Sequence, residues 1–252
     1  MFEEIRDDEI ISKLTSFANA RNKEIYLVGG VVRDALIGVK KAVAVDDVDI
    51  ATTLSIDEMI EFAKKNGLSH EVKNKKLEVV AIWKFSQKVY ELARLRREFY
   101  SSNEQHTPSF VEFTSSVEED AKRRDFTINS VYYTTHSNEI IDPVGGAQDV
   151  INKRLRTVRP PEETLAVDPA RIIRLVELAA RFDLEVDDHT MNIARQQAKN
   201  VSKLSFARKE KELDRLRLEN KYGENGRDYK RRVMALAKGL ELDLSNFGIN
   251  WQ

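Results

Sequence analysis

No cysteine occurs in the 252 residues, and histidine occurs only four times. Disulfides and thiolate metal sites are therefore excluded, and imidazole-based zinc chemistry has little to draw on. No stretch is long and apolar enough to cross a bilayer. The opening Met-Phe-Glu-Glu-Ile-Arg-Asp-Asp lacks the basic-then-apolar order of a signal peptide. Internal repeats and low-complexity tracts are missing too. These absences predict a cytoplasmic protein that does not engage a membrane. The length suits two modest units better than one large one. Charge is nearly balanced, with a formal net of -1, but it is unevenly spread. Positions 195–252 carry 14 Lys and Arg against 8 Asp and Glu, a surplus of six, which leaves the preceding part at minus seven. An acidic front that concentrates metal and a basic back that lies along a phosphate backbone would suit an enzyme acting on nucleic acid. The run Lys-Glu-Lys-Glu-Leu-Asp-Arg-Leu-Arg (209–217) reads equally as an exposed helix face with i,i+4 pairs.

What the chain does contain is a pair of acids, Asp47 and Asp49, shortly after Tyr-Leu-Val-Gly-Gly-Val-Val-Arg-Asp (26–34). In an extended strand, side chains at i and i+2 leave the same face, so the two carboxylates converge. Like charges so placed repel unless a cation lies between them, and hard oxygen ligands suit Mg2+. A solvated turn, with Asp46 alongside, is the plainer account of the same residues. Upstream, the apolar run 25–28 ends at Gly29 and Gly30, and 31–37 has helical spacing. Those glycines either let the chain turn or bring backbone amides close to a triphosphate. Arg33 is then either a surface charge or the counter-charge of that triphosphate.

Periodicity predicts helices over 8–20 and 56–65, and strands over 77–85 and 88–95 joined by a tight polar connection. Past Pro160-Pro161 the pattern turns helical, around 169–182, 188–199 and 206–220. The expected division is therefore a mixed unit, 1–158, and a helical one, 159–252.

Four motifs in order carry a resemblance: Leu-Val-Gly-Gly-Val-Val-Arg-Asp, Asp-Val-Asp-Ile-Ala-Thr, Arg-Arg-Asp-Phe-Thr-Ile-Asn (123–129) and Asp-Pro-Val-Gly-Gly (142–146). Together they resemble the class II nucleotidyltransferases, which include bacterial-type tRNA CCA-adding enzymes and poly(A) polymerases. A fainter Ser-x-x-Arg-x-x-x-Glu-Leu at 205–213 extends the likeness over roughly the first 215 residues. The resemblance implies an α+β, polymerase-beta-like head, a mixed sheet with flanking helices, followed by an all-helical neck. It also implies that Asp47 and Asp49 hold Mg2+, with in-line attack of an RNA 3′ hydroxyl on the α-phosphate. Glu91 is either a third carboxylate beside them or a solvent-facing strand position. Arg124, Asp125 and Asn129 match the motif associated with the incoming nucleotide, while Phe126 and Ile128 suit a core.

Asp168 and Pro169 read as an N-cap and a first helical residue. In the family the same helix selects nucleotides, so the resemblance also assigns Asp168, Arg171 and Arg174 to nucleotide binding. A carboxylate beside a guanidinium fits the amino group and ring nitrogen that cytosine and adenine share, and rejects uracil and guanine. Two departures touch this helix: Val167 stands where the family has Glu, and Glu177-Leu178-Ala179 replaces Arg-Phe-Ala. Either could mark CC-only, A-only or relaxed addition, or Glu177 simply pairs with Arg181.

Family members continue through a body and tail that grip tRNA. A short form lacking most of these is expected here, with 195–232 as an RNA-binding stretch. The apolar ending, Leu240 to Trp251, packs back on the neck or forms a homodimer contact. The leading expectation is an RNA nucleotidyltransferase using CTP, ATP or both on tRNA 3′ ends. A poly(A) polymerase and a catalytically altered RNA-binding relative are the alternatives.

Overall fold

The computed structural model describes residues 2, 7–38, 47–85, 88–100, 108–217, 226–244 and 249. Asp46, the connection at 86–87, positions 218–220, Phe247 and Trp251 lie outside the described residues. Two compact units emerge, one built from Met1–Phe99 and Ser109–Ile151, the other holding Asn152–Gln252.

The first unit is organised by a seven-stranded mixed sheet, in the order β3-β4-β5-β2-β1-β8-β9. Its strands are β1 (Ile25–Val28), β2 (Asp47–Thr52), β3 (Ser69–Asn74), β4 (Val79–Trp83), β5 (Val89–Arg94), β8 (Tyr132–Thr134) and β9 (Glu139–Ile141). All neighbouring pairs are antiparallel except β2 and β5, which run parallel. A separate hairpin joins β6 (Arg96–Phe99) to β7 (Phe110–Phe113). The helices are α1 (Glu9–Asn19), α2 (Gly30–Ile37), α3 (Ile56–Lys65), α4 (Val117–Ala121) and α5 (Gly146–Ile151).

Local chemistry accounts for the helix starts. The Asp8 carboxylate accepts from the Ile10 and Ile11 amides, opening α1. At α3, Ser55 and Glu58 form a reciprocal capping box. Apolar residues at helical spacing on α1 and α3 then meet the alternate apolar residues of the strands. The main core unites Ile11, Leu14 and Phe17 with Met59 and Phe62 from the helices, and Leu27, Val48, Ile50, Val80, Ile82 and Leu92 from the sheet. On the opposite sheet face a smaller cluster gathers Tyr26, Val28, Ala51, Val117, Ala121 and Tyr132. Asp47 and Asp49 belong to that second face, since Val48 and Ile50 are buried while the two acids are exposed. Helices blanket one side of the sheet, and the sparser covering of the other leaves room for polar chemistry.

The second unit is helical, with α6 (Pro161–Val167), α7 (Ala170–Phe182), α8 (Asp188–Gln197), α9 (Phe206–Arg217) and α10 (Gly226–Gly239). Pro161 opens α6, where its missing N–H costs nothing. Helix α7 is buried on nearly every side and packs against α9 and α10. Leu240, Leu242, Leu244 and Ile249 are buried within the chain itself, which is the packing expected of an apolar ending that folds back. Among the described residues no helix is long and apolar enough to cross a membrane.

Candidate active site

Strand β1 ends at Gly29, whose φ of +74° lies in the region that only glycine adopts freely, and α2 begins at the next residue. A Cβ at Gly29 would sit 2.8 Å from the Asp49 Oδ2. The glycine is therefore required twice, for the turn and for the close approach of the backbone to a carboxylate. First-turn amides of α2 lack intrahelical acceptors, and they open beside this point.

Asp47 and Asp49 alternate on β2 as an extended strand demands, both exposed. The parallel pairing with β5 sets Glu91 directly beside Asp49, and Asp47 beside Val89. Residues paired across adjacent strands share a face, so three acids line one side of the sheet. Among the described residues no three His, Cys, Asp or Glu gather closely enough to cage a metal by themselves. Two exposed carboxylates on one strand face could contribute to a Mg2+ site, since that ion seldom uses an all-protein cage.

Arg33 is no surface charge: it is 6% exposed. Its Nε and Nη2 donate to Asp34 Oδ1 at 2.9 and 2.6 Å, and its Nη1 donates to Asn129 Oδ1 at 2.6 Å. With the amide oxygen thus fixed, Asn129 Nδ2 faces Asp125 Oδ1 at 3.2 Å. Three of the anticipated residues, Arg33, Asn129 and Asp125, form one hydrogen-bonded chain. Phe126 and Ile128 are fully buried, so the same short segment anchors the core and presents polar groups.

Arg124 donates through Nε to Asp120 Oδ2 at 3.1 Å and to the Tyr132 hydroxyl at 2.9 Å. Burial works against its charge, but Tyr132, Asp120 and Asp49 together hold the guanidinium firmly protonated. The Asp-Pro-Val-Gly-Gly motif supports this segment from behind. Asp142 accepts from the Gly146 and Ala147 amides, and Thr127 donates to Asp149 at 2.6 Å. A Cβ at Gly146 would lie 2.1 Å from the Thr127 carbonyl oxygen, so only glycine fits.

In the helical unit the expected cap is corrected: α7 starts one residue later, with Pro169 and not Asp168 at the N-cap position, and Asp168 ends α6. Pro169 flanks α7, and the Asp168 Oδ1 accepts from the Ala170 amide at 3.1 Å. Its other oxygen takes the Arg208 Nη2 at 2.7 Å. Burial favours the neutral acid, yet Arg208, Arg171 and Arg174 hold the carboxyl below its ordinary range. Arg171 is buried and donates to the Thr164 carbonyl at 3.2 Å. Arg174 pairs with Glu212 at 2.8 Å, and Glu212 also receives Arg215 at 3.2 Å. Glu177 is buried beside Arg181, at 3.4 Å one turn later. Arg208 and Glu212 were not singled out from sequence as site residues. The faint Ser205-to-Leu213 pattern held both, and only the fold shows that it closes on Asp168 and Arg174.

A family model described as the poly A polymerase head domain matches residues 25–156. The chain belongs to that family. CCA-adding enzymes of Enterococcus faecalis and Streptococcus uberis are each 34% identical to it, over 176 and 196 residues. Those matches cover 69% and 77% of this chain but only 40% and 45% of the two enzymes. The chain thus spans less than half the length of these relatives. The crystal structure of the Bacillus stearothermophilus CCA-adding enzyme in complex with CTP superposes with a TM-score of 0.74 at 25% identity. It covers 94% of this chain and 53% of that enzyme. The poly A polymerase head family accounts for the mixed sheet of the first unit, and the solved neighbour for the helical unit after it.

Proposed function

We propose that this protein is a template-independent RNA nucleotidyltransferase that adds C, A or both to tRNA 3′ ends and releases pyrophosphate. The observation that carries the reading is the Asp47–Asp49 pair, exposed on one sheet face, with Gly29 pressed against Asp49 at the entrance to α2. Glu91 adds a third negative charge beside them. The α2 amides receive triphosphate oxygens, while Arg33 acts by fixing Asn129, which with Asp125 meets the ribose. Arg124 supplies positive charge at the edge of the acidic face. Mg2+ is the cation proposed for Asp47 and Asp49, whose carboxylates would hold it; there it would offset triphosphate charge and make the RNA hydroxyl easier to deprotonate. The 3′ oxygen bonds to the α-phosphorus as the bond to pyrophosphate breaks, and the hydroxyl proton passes to water.

Asp168, Arg171 and Arg174 are the base-selecting groups in this reading, with Arg208 completing the set through its contact to Asp168. The division of labour is a catalytic head and a helical unit with exposed Arg195, Lys199, Lys203 and Lys211 for RNA backbone. Poly(A) addition is the second reading, because Glu177, buried beside the partly exposed Arg181, changes the charge of the helix proposed to select nucleotides.

The test combines the protein, Mg2+, each NTP alone and tRNAs ending before, within or after CCA. One to three additions from CTP or ATP, and none from UTP or GTP, support the proposal. Long tails favour the poly(A) reading, and no addition overturns both. Asp168→Ala is expected to let UTP and GTP in, whereas a variant that merely melts earlier and still discriminates shows that Asp168 serves the fold alone.

A further inference from the structure

Asp120 is a carboxylate fully sealed from water, a costly placement without partners. It has them in full. The Arg96 amide donates at 3.1 Å, Arg123 Nε at 2.8 Å and the Tyr132 hydroxyl at 2.8 Å, and Arg124 Nη2 lies 3.0 Å away. Glu98 completes the cluster, 2.8 Å from Arg96 and 3.7 Å from Arg123. Three guanidinium groups, those of Arg96, Arg123 and Arg124, thus gather around two carboxylates. Arg124 is the member whose further acid is Asp49, on the exposed face.

Tyr132 fixes the direction in which the Arg124 guanidinium points. Its hydroxyl accepts from Arg124 Nε and donates to Asp120, and the guanidinium carbon lies 5.1 Å from its ring centroid. Along the backbone Tyr132 pairs with Val28, the residue before Gly29. Its ring belongs to the same small cluster as Val28 and Ala51, on the sheet face that carries Asp47 and Asp49. The tyrosine thereby ties Arg124 to the strand whose end meets Asp49.

We propose that Asp120 and Tyr132 are positioning residues that hold the Arg124 guanidinium beside the Asp47–Asp49 face, where it receives the triphosphate of the incoming nucleotide. This rests on reading that face as the site of nucleotidyl transfer. A guanidinium used for phosphate must be pre-aimed, because its fork recognises oxygens only in the correct plane. Two bonds to Nε and a third partner at Nη2 set that plane before any nucleotide arrives.

Tyr132→Phe keeps the ring and its packing and deletes only the hydroxyl. Affinity for α,β-methylene CTP, measured by calorimetry with and without Mg2+, is expected to fall roughly tenfold, the worth of one hydrogen bond to a charged group. In steady-state assays the loss should enter through KM for the nucleotide, with kcat little changed. In an Arg124→Lys background, Tyr132→Phe should add nothing further. An equal loss in both backgrounds, or a lowered Tm with nucleotide affinity intact, overturns the proposal and leaves Tyr132 a packing residue. Asp120→Asn, which keeps shape and removes charge, should repeat the affinity loss. A wild-type protein that extends RNA while Tyr132→Phe binds normally sinks this inference alone. Binding of the analogue without extension of any RNA sinks the transfer reading alone, and absence of binding sinks both.

Discussion

Two pairs of carboxylates, one in each unit, live under opposite conditions. In the mixed unit Asp47 and Asp49 stand exposed on a strand, and in the helical unit Asp168 and Glu212 are buried among guanidinium groups. Exposed like charges at i and i+2 contribute little to folding, and in the proposed reaction they face a cation. Buried acids with arginine partners are part of the folded framework, and removing one strands the charges around it. Activity and stability should therefore separate at the first pair and fall together at the second.

The largest effect expected is that of Asp49→Ala. Nucleotide incorporation should drop about a thousandfold, the several kcal/mol that a bound metal contributes to a transition state, with Tm unchanged. Substantial residual turnover would collapse the contrast. Glu212→Ala comes next: it leaves Arg174, Arg208 and Arg215 without their shared acid and should cost about 3 kcal/mol in denaturant unfolding of the helical unit. A loss below about 1 kcal/mol would show that the buried pair is dispensable to the fold.

The smallest effect concerns acid. Burial opposes ionisation of Glu212, but Arg174, Arg215 and Arg208 hold its carboxyl below the ordinary range, and Asp168 is held low likewise. Groups with a lowered folded-state pKa stabilise fully above the unfolded value, about pH 4, and lose that contribution as pH falls through the folded one. Glu212→Gln should therefore flatten the acid limb of the stability curve by up to one proton. An unchanged slope would mean that other acids dominate it.

Much of this was legible in the sequence where the signal is local. The α3 span, 56–65, follows from its periodicity, and β1 from four apolar residues stopped by two glycines. Asp47 and Asp49 announced themselves because alternation in a strand is a short-range rule. What escaped was set by distant partners. Arg33 gives no sign that Asn129, 96 positions later, will claim it, nor Asp168 that Arg208 will. The helical unit was visible as a change of period beyond the double proline, but Asn152 already groups with that unit, because contacts rather than composition define its edge. The hairpin β6–β7 and the short strands β8 and β9 left too few residues for any period to register.

Strand pairing between β2 and β5 carries a vulnerability of its own. Glu91 meets Asp49 only because two strands run in the same direction at one particular alignment, with Leu92 turned inward beneath them. Slide β5 by a single residue and the leucine would surface among the acids while the glutamate would be driven into oil. A one-residue shift of β5 would thus act like two simultaneous mutations, parting Glu91 from Asp49 and poisoning the core at once.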